Sequence, residues 1–270
     1  MRTSRRSLAL AVVPMLAITG LLRAQESDQR WLDHCQENRN HRRATHCAVQ
    51  VFELTPRTSL TIDAGTNGGI HVESWDQAGI EVHARIQAWD RDLDEARNAA
   101  RRIRIDSTGP VLQADGPEMD DGSWSVSFVV YVPRRMDLEA TAHNGPVSVE
   151  DVVGKMNLSV VNGPLALEDL GGDVRARAQN GPLHVRLSGT SWEGRGLDAE
   201  TANGPVALEI PEDYSAELET GTVNGPMNVE FPLTVTLQGR MPRRIRTTLG
   251  QGGATVRAVT TNGPASIERP

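Results

Sequence analysis

Two cysteines and three histidines crowd one short stretch of this chain: His34 and Cys35, then His41, then His46 and Cys47. Thiolates and imidazoles are zinc and haem donors, but such sites use Cys-x-x-Cys or Cys-x-x-Cys-His spacing, and neighbours in sequence do not easily face one ion. An isolated even pair in an exported chain reads more simply as a Cys35–Cys47 disulfide, which for so short a loop stabilises by roughly 3 kcal/mol. His71 and His83 offer an acid–base or metal pair if they face outward on adjacent strands, set against the plainer expectation of two solvated surface histidines. Glu118, Asp120 and Asp121 lack the ligand spacing of calcium loops. No nucleophile elbow, phosphate loop or zinc motif occurs, so no catalytic residue, metal or cofactor is assigned.

The strongest pattern is not catalytic. Asn-Gly-Pro recurs six times, at Asn144, Asn162, Asn180, Asn203, Asn224 and Asn262, each time between short alternating apolar runs. The steps are 18, 18, 23, 21 and 38 residues, the last close to a double step. Such self-similarity marks one unit stacked along an axis. Counting by twos from Leu158 through Val160 reaches Asn162, and equivalent counts reach the other five, so the asparagines are expected to point inward as an internal amide ladder. Gly takes positive φ at no penalty, and Pro, having no N–H, interrupts the backbone bonds at every corner.

The elements that must position these corners are strands. The expected fold is all-β, a single-stranded β-solenoid of about 18–21-residue rungs with one short helix and a disulfide-stapled N-terminal cap. Residues 25–55 are read as the polar cap. A first solenoid portion follows over 56–136, with a helical insertion near 91–103 carrying Leu93, Ala96, Ala100 and Ile103 at helical spacing, and the regular repeats fill 137–270. Rungs running in chain order to Ile267 would leave a C-terminal edge blunted only by Glu268, Arg269 and Pro270, a surface for self-association.

Residues 1–24 read as a signal peptide: Arg2, Arg5 and Arg6, an apolar stretch from Leu8 to Leu22, and Ala24 as a cleavage point. Ser4 to Leu8 loosely matches a twin-arginine signal. No further segment is apolar enough for a transmembrane helix, so an exported protein, periplasmic or extracellular, is expected. Cleavage after Ala24 removes four of the 28 Lys+Arg and leaves 24 against 35 Asp+Glu, a balance of −11 that argues against a nucleic-acid partner. Two insertions break the repeat. Ser188 to Gly196 carries Trp192, and Pro232 to Gly250 carries Arg240, Arg243, Arg244 and Arg246; together they form the candidate partner-binding loops, for a protein or another cell-envelope component. The plainer expectation is that Trp192 covers an apolar edge and the arginines solvate a projecting loop.

The Asn-Gly corners, Val132-Pro133-Arg134-Arg135 leading into Leu138-Glu139-Ala140, Leu170-Gly171-Gly172-Asp173, and the run Ala216 to Asn224 resemble the bacterial adhesin-like β-strand-repeat family over roughly Leu60 to Ile267. Relatives there carry Gly or Asp where this chain has Pro. The resemblance implies a β-solenoid in the cell envelope, with some relatives tied to envelope stress, and supplies no catalytic or ligand residues. Three functions follow: a non-enzymatic structural or adhesive module, an envelope-stress sensor or scavenger of cationic peptides, and a polysaccharide-active β-helix enzyme. The last lacks sugar-stacking aromatics, which make up 4% of the chain.

Overall fold

The structure, a computed structural model, describes residues 15–37, 43–229 and 243–270, with side chains for 24–35, 43–229 and 243–270. Arg2, Arg5, Arg6, His41 and Arg240 lie outside the described residues. Helix α1 (Met15–Glu37) precedes β1 (Ala44–Leu54), β2 (Ser59–Asp63), β3 (Ile70–Trp75) and β4 (Ile80–Asp90). Helix α2 (Leu93–Arg102) follows, then β5 (Arg104–Asp106), β6 (Val111–Asp115) and β7 (Ser123–Pro133). Asp92 caps α2, its carboxylate accepting from the Asp94 and Glu95 N–H groups, and Ala96, Ala99 and Ala100 are buried.

From Asp137 the chain alternates between two sheets. Strands β8 (Asp137–Asn144), β10 (Val153–Asn162), β12 (Gly171–Asn180) and β14 (Gly196–Asn203) enter one sheet. Strands β9 (Val147–Glu150), β11 (Leu165–Glu168), β13 (Leu183–Arg186) and β15 (Val206–Glu209) enter the other. All pair in parallel with their counterparts one repeat away. The last elements are β16 (Ala216–Asn224), β17 (Met227–Val229), β18 (Arg244–Leu249), β19 (Thr255–Asn262) and β20 (Ala265–Glu268).

The core lies between the sheets. Leu138, Met156, Val174, Leu197, Val256 and Leu218 stand in register across one sheet and are all buried. Each fully buried aliphatic side chain contributes roughly 1.5–3 kcal/mol. Glycine lets the corners stack this closely: a Cβ on Gly163 would stand 2.1 Å from the Gly145 carbonyl oxygen.

Several expectations need correction. There are two helices rather than one, because α1 begins within the residues read as a signal peptide and continues into the segment read as a polar cap. The rest of that cap is an eleven-residue strand, β1, antiparallel to β4; apolar residues on both of its faces hide the alternation. Spatial order departs from chain order at both ends. The two ten-stranded sheets run β1-β4-β7-β3-β9-β11-β13-β15-β20-β17 and β18-β16-β19-β14-β12-β10-β8-β2-β6-β5, so β6 and β7 lie outside β2 and β3, while β19 and β20 lie inside β16 and β17. The 38-residue step is thus not a double rung. It contains antiparallel β18, after which the chain returns on the inner side of β16. The C-terminal rung is therefore interior, and the edge expected there for self-association is not formed by Ile267; the edges at that end are β17 and β18. Finally, the six corner asparagines are exposed. Alternation holds as far as Val160, but the pairing skips Val161 and resumes at Asn162, so the two-residue period is broken just before the corner.

Candidate functional site

The corner asparagines are brought together at the surface. Each side-chain amide donates to the carbonyl oxygen of the next: Asn162 to Asn144 and Asn180 to Asn162 at 2.9 Å, Asn203 to Asn180 at 3.0 Å, Asn262 to Asn203 and Asn224 to Asn262 at 2.9 Å. Asn67, from the divergent Asn-Gly-Gly corner, accepts from Asn144 at 3.3 Å. Beside this runs a backbone ladder, each corner glycine N–H meeting the asparagine carbonyl of the next rung, as from Gly163 to Asn180 at 2.9 Å. The proline carbonyls accept from the strands that follow, Val147 to Pro164 at 3.0 Å for example. The proline costs its rung one donor, while at the corners from Asn144 to Asn203 and at Asn262 the glycine N–H, the asparagine amide and the asparagine side-chain oxygen are paired.

The proposed partner loops are placed differently. Trp192 is 7% exposed, joined to the hydrophobic core, with its indole N–H donating to the Gly172 carbonyl at 3.0 Å. The Arg243 guanidinium donates to the Val223 carbonyl at 3.0 Å. Arg244 and Arg246 stand 3.7 and 2.8 Å from the Glu219 carboxylate. They complete an alternating row across the outer face: Arg177 with Asp198, Arg257 between Asp198 at 2.6 Å, Glu200 at 3.2 Å and Glu219 at 3.7 Å, then Arg244 and Arg246. Farther along the same face, adjoining open trenches of about 240 and 250 Å³ run over Asn157, Ser159 and Arg177, and no aromatic ring lines them.

A buried cluster of titratable groups was not visible in the sequence. His83, on β4, is 2% exposed, with Asp28 of α1 at Nδ1 and Glu81 at Nε2, the latter 2.8 Å away. Arg85 donates to Asp28 at 2.9 Å and to Ser27 at 2.8 Å, and its guanidinium lies 5.9 Å from the centre of the Trp31 ring. Tyr131 meets His83 edge-on and stacks on Trp75. Burial alone disfavours a charged imidazole, but hydrogen bonds and charge from Asp28 and Glu81 outweigh it and hold His83 above its ordinary value. Burial likewise works against ionised Asp28, and His83 and Arg85 outweigh it, holding its carboxyl low. Burial, then Glu73 and Asp28, push the Tyr131 phenol up to about 12. A general base needs a free ring nitrogen, and both nitrogens of His83 face carboxylates. The cluster is an ionic latch holding α1 on the outer face of β4, and the Cys35–Cys47 disulfide ties the same helix to β1. With both thiols so joined, neither is available as a thiolate ligand.

His71 and His83 are not a surface pair. Strand β7 lies between their strands with Val129 in register with both, and His71 bonds the Ser148 hydroxyl at 2.8 Å instead. The one available clue to the latch was the alternation Glu81, His83, Arg85 opposite Val82, Ala84 and Ile86 on a strand long enough to be covered on both faces.

A family model described as Toastrack DUF4097 matches residues 116–268, more than half of the chain. The chain belongs to this family. The Toastrack match takes in all six Asn-Gly-Pro corners and begins after α1, the disulfide and the latch. Several solved structures resemble the chain. A candidate cell adhesion protein from Clostridium sporogenes has 12% identity and a TM-score of 0.37, over 83% of this chain and 100% of that one. A candidate adhesin from Bacteroides fragilis has 10% identity and 0.37, over 83% and 97%. A candidate lipid binding protein from Parabacteroides distasonis has 9% identity and 0.34, over 82% and 96%. No curated protein matches the sequence. Among the described residues, no helix is long and apolar enough to cross a membrane, and no group of three or more His, Cys, Asp or Glu could hold a metal ion.

Proposed function

We propose that this Toastrack protein is a non-enzymatic, exported cell-envelope module, an adhesin-like single-stranded β-solenoid whose task is structural or binding. The observation that carries this reading is where the chemically capable side chains are spent. His83, Asp28, Glu81 and Arg85 fasten a helix, the asparagines fasten corner to corner, and Arg257 with Asp198, Glu200 and Glu219 fastens strand to strand. A disulfide at Cys35–Cys47 supports an oxidising compartment, periplasmic or extracellular, reached through cleavage of residues 1–24. The partner would be a protein or another envelope component. The test is capture from purified envelope fractions by the mature protein, compared with Arg243→Ser/Arg246→Ser, both exposed at the β18 edge. Loss of one specific partner in the variant supports binding there. A partner retained by both forms moves the site elsewhere, and turnover of an envelope polysaccharide by the purified protein would overturn the reading.

A second reading, capture of cationic peptides, draws on the outer face of the other sheet. Glu73, Glu150, Glu168, Glu209 and Glu268 stand in one cross-strand row interrupted by Arg186. Burial, then Glu73 and Glu168, raise the Glu150 carboxyl, so the row is under mutual repulsion that a cation would relieve. Salt-sensitive binding of an arginine-rich peptide, lost on Glu150→Gln/Glu168→Gln, is the expected result.

A further inference from the structure

The corner ladder is directional, and its two ends are chemically different. Every asparagine from Asn67 to Asn262 accepts, at its side-chain oxygen, the amide N–H of the next asparagine along the stack, and every corner glycine from Gly68 to Gly263 donates its N–H to the next rung. Asn224 is the last member. It donates to Asn262, but among the described residues nothing donates to its side-chain oxygen, and the Gly225 N–H has no acceptor. Beneath this corner the buried Thr222 hydroxyl also lacks a partner, whereas Thr201 and Thr260, its counterparts in neighbouring rungs, bond the Gly181 and Gly204 carbonyls at 2.8 and 2.7 Å.

We propose that Asn224 is a site of spontaneous covalent modification, the one corner of this array open to conversion into aspartate and isoaspartate. The Gly225 backbone nitrogen gives its proton to hydroxide and attacks Cγ of Asn224. The new C–N bond closes a succinimide, the bond from Cγ to Nδ2 breaks, and ammonia leaves with a proton from water. A second water opens the ring at either carbonyl, giving aspartate or the backbone-extended isoaspartate. At the interior corners the attacking nitrogen is engaged through its N–H and the side-chain amide is held at both its N–H and its oxygen, so reaction requires local opening; at Asn224, among the described residues, the Gly225 N–H is unengaged and the side chain keeps only its bond to Asn262. The product puts a carboxylate, and in part an extra backbone methylene, beside exposed Val223 at the end of the stack.

The six Asn-Gly-Pro corners share the reacting sequence, so the unfolded chain supplies an internal reference. Full-length protein is incubated in mildly alkaline buffer, folded or in urea, and Asn, Asp and isoAsp are quantified at each corner by peptide mapping. The expected result is comparable conversion at all six in urea. In the folded protein Asn224 should react first, and the interior corners should be slowed tenfold for each ~1.4 kcal/mol that opening costs. In Asn180→Ser, which removes the donor to Asn162, Asn162 should speed up while Asn224 is unchanged. Interior corners converting as fast as Asn224 in the folded wild-type protein would overturn the proposal, whether or not the variant folds.

Discussion

The middle of the array and its C-terminal end use the same corner but are ordered by different forces. From β8 to β15 each rung stacks on its predecessor in sequence. Beyond β15 the chain lays down β16 and β17 and then slips β19 and β20 between them and the older rungs. The amide ladder does not select this order, since any Asn-Gly-Pro corner can stack on any other. The outer face can. Were β16 directly on β14, Glu219 would oppose Asp198; with β19 between them, Arg257 stands in register with both. Identical corners set the register of a stack, and surface charge sets who neighbours whom.

The largest test of that contrast lies in the middle. Gly163→Ala would drive a Cβ into the Gly145 carbonyl, 2.1 Å from its oxygen and 2.7 Å from its carbon, backbone atoms that cannot swing aside as a flexible side chain would. A loss on the order of 3 kcal/mol in denaturant unfolding is expected, and a change under ~0.5 would show that the corner relaxes freely. Next is Arg257→Glu, which would place three carboxylates against a fourth and leave Glu219, whose side chain is 10% exposed, without its central cation. About 2–3 kcal/mol is expected, with hydrogen-exchange protection lost first in β16, β18 and β19. Asn180→Ala removes one amide hydrogen bond on each side at an exposed position and should cost about 1 kcal/mol.

The N-terminal end is tied by titrating groups, so its test is pH. His83 is raised, so its contribution is full below the ordinary 6.5 and fades as pH climbs through the higher native value. Asp28 is lowered, so its contribution is full above the ordinary 3.8 and fades as pH falls through the lower native value. Glu81, Arg85, Tyr131 and Glu73 are the other charged or titratable groups around them. Protection of α1 against proteolysis should be greatest between those ordinary values, and His83→Gln should remove the alkaline limb. Arg246→Ala, 77% exposed, should have the smallest effect, a few tenths of a kcal/mol.

What could be read from the sequence follows the same division. Strand content, corners, α2 and the cysteine pair come from local rules: period two, breakers, helical spacing, spacing of thiols. The latch joins Asp28 to His83 across 55 residues, and no local rule reaches that far. The inserted rung was missed because Arg257, Asp198 and Glu219 read one at a time are ordinary surface charges, and only their register makes them a code. Trp192 sits between glycines in a polar insertion and still packs into the core, because the insertion folds back over Gly172.

The most direct measurement is a double-mutant cycle between Arg257 and Asp198, read by denaturant unfolding, with Asp198 and Glu219 as the reference pair. If β19 lies between β14 and β16, Arg257→Ala and Asp198→Ala should couple by about 1 kcal/mol, while Asp198→Ala and Glu219→Ala show no direct repulsion beyond what Arg257 transmits. Additivity of Arg257 with Asp198 to within ~0.3 kcal/mol would contradict the strand order and the charge code built on it.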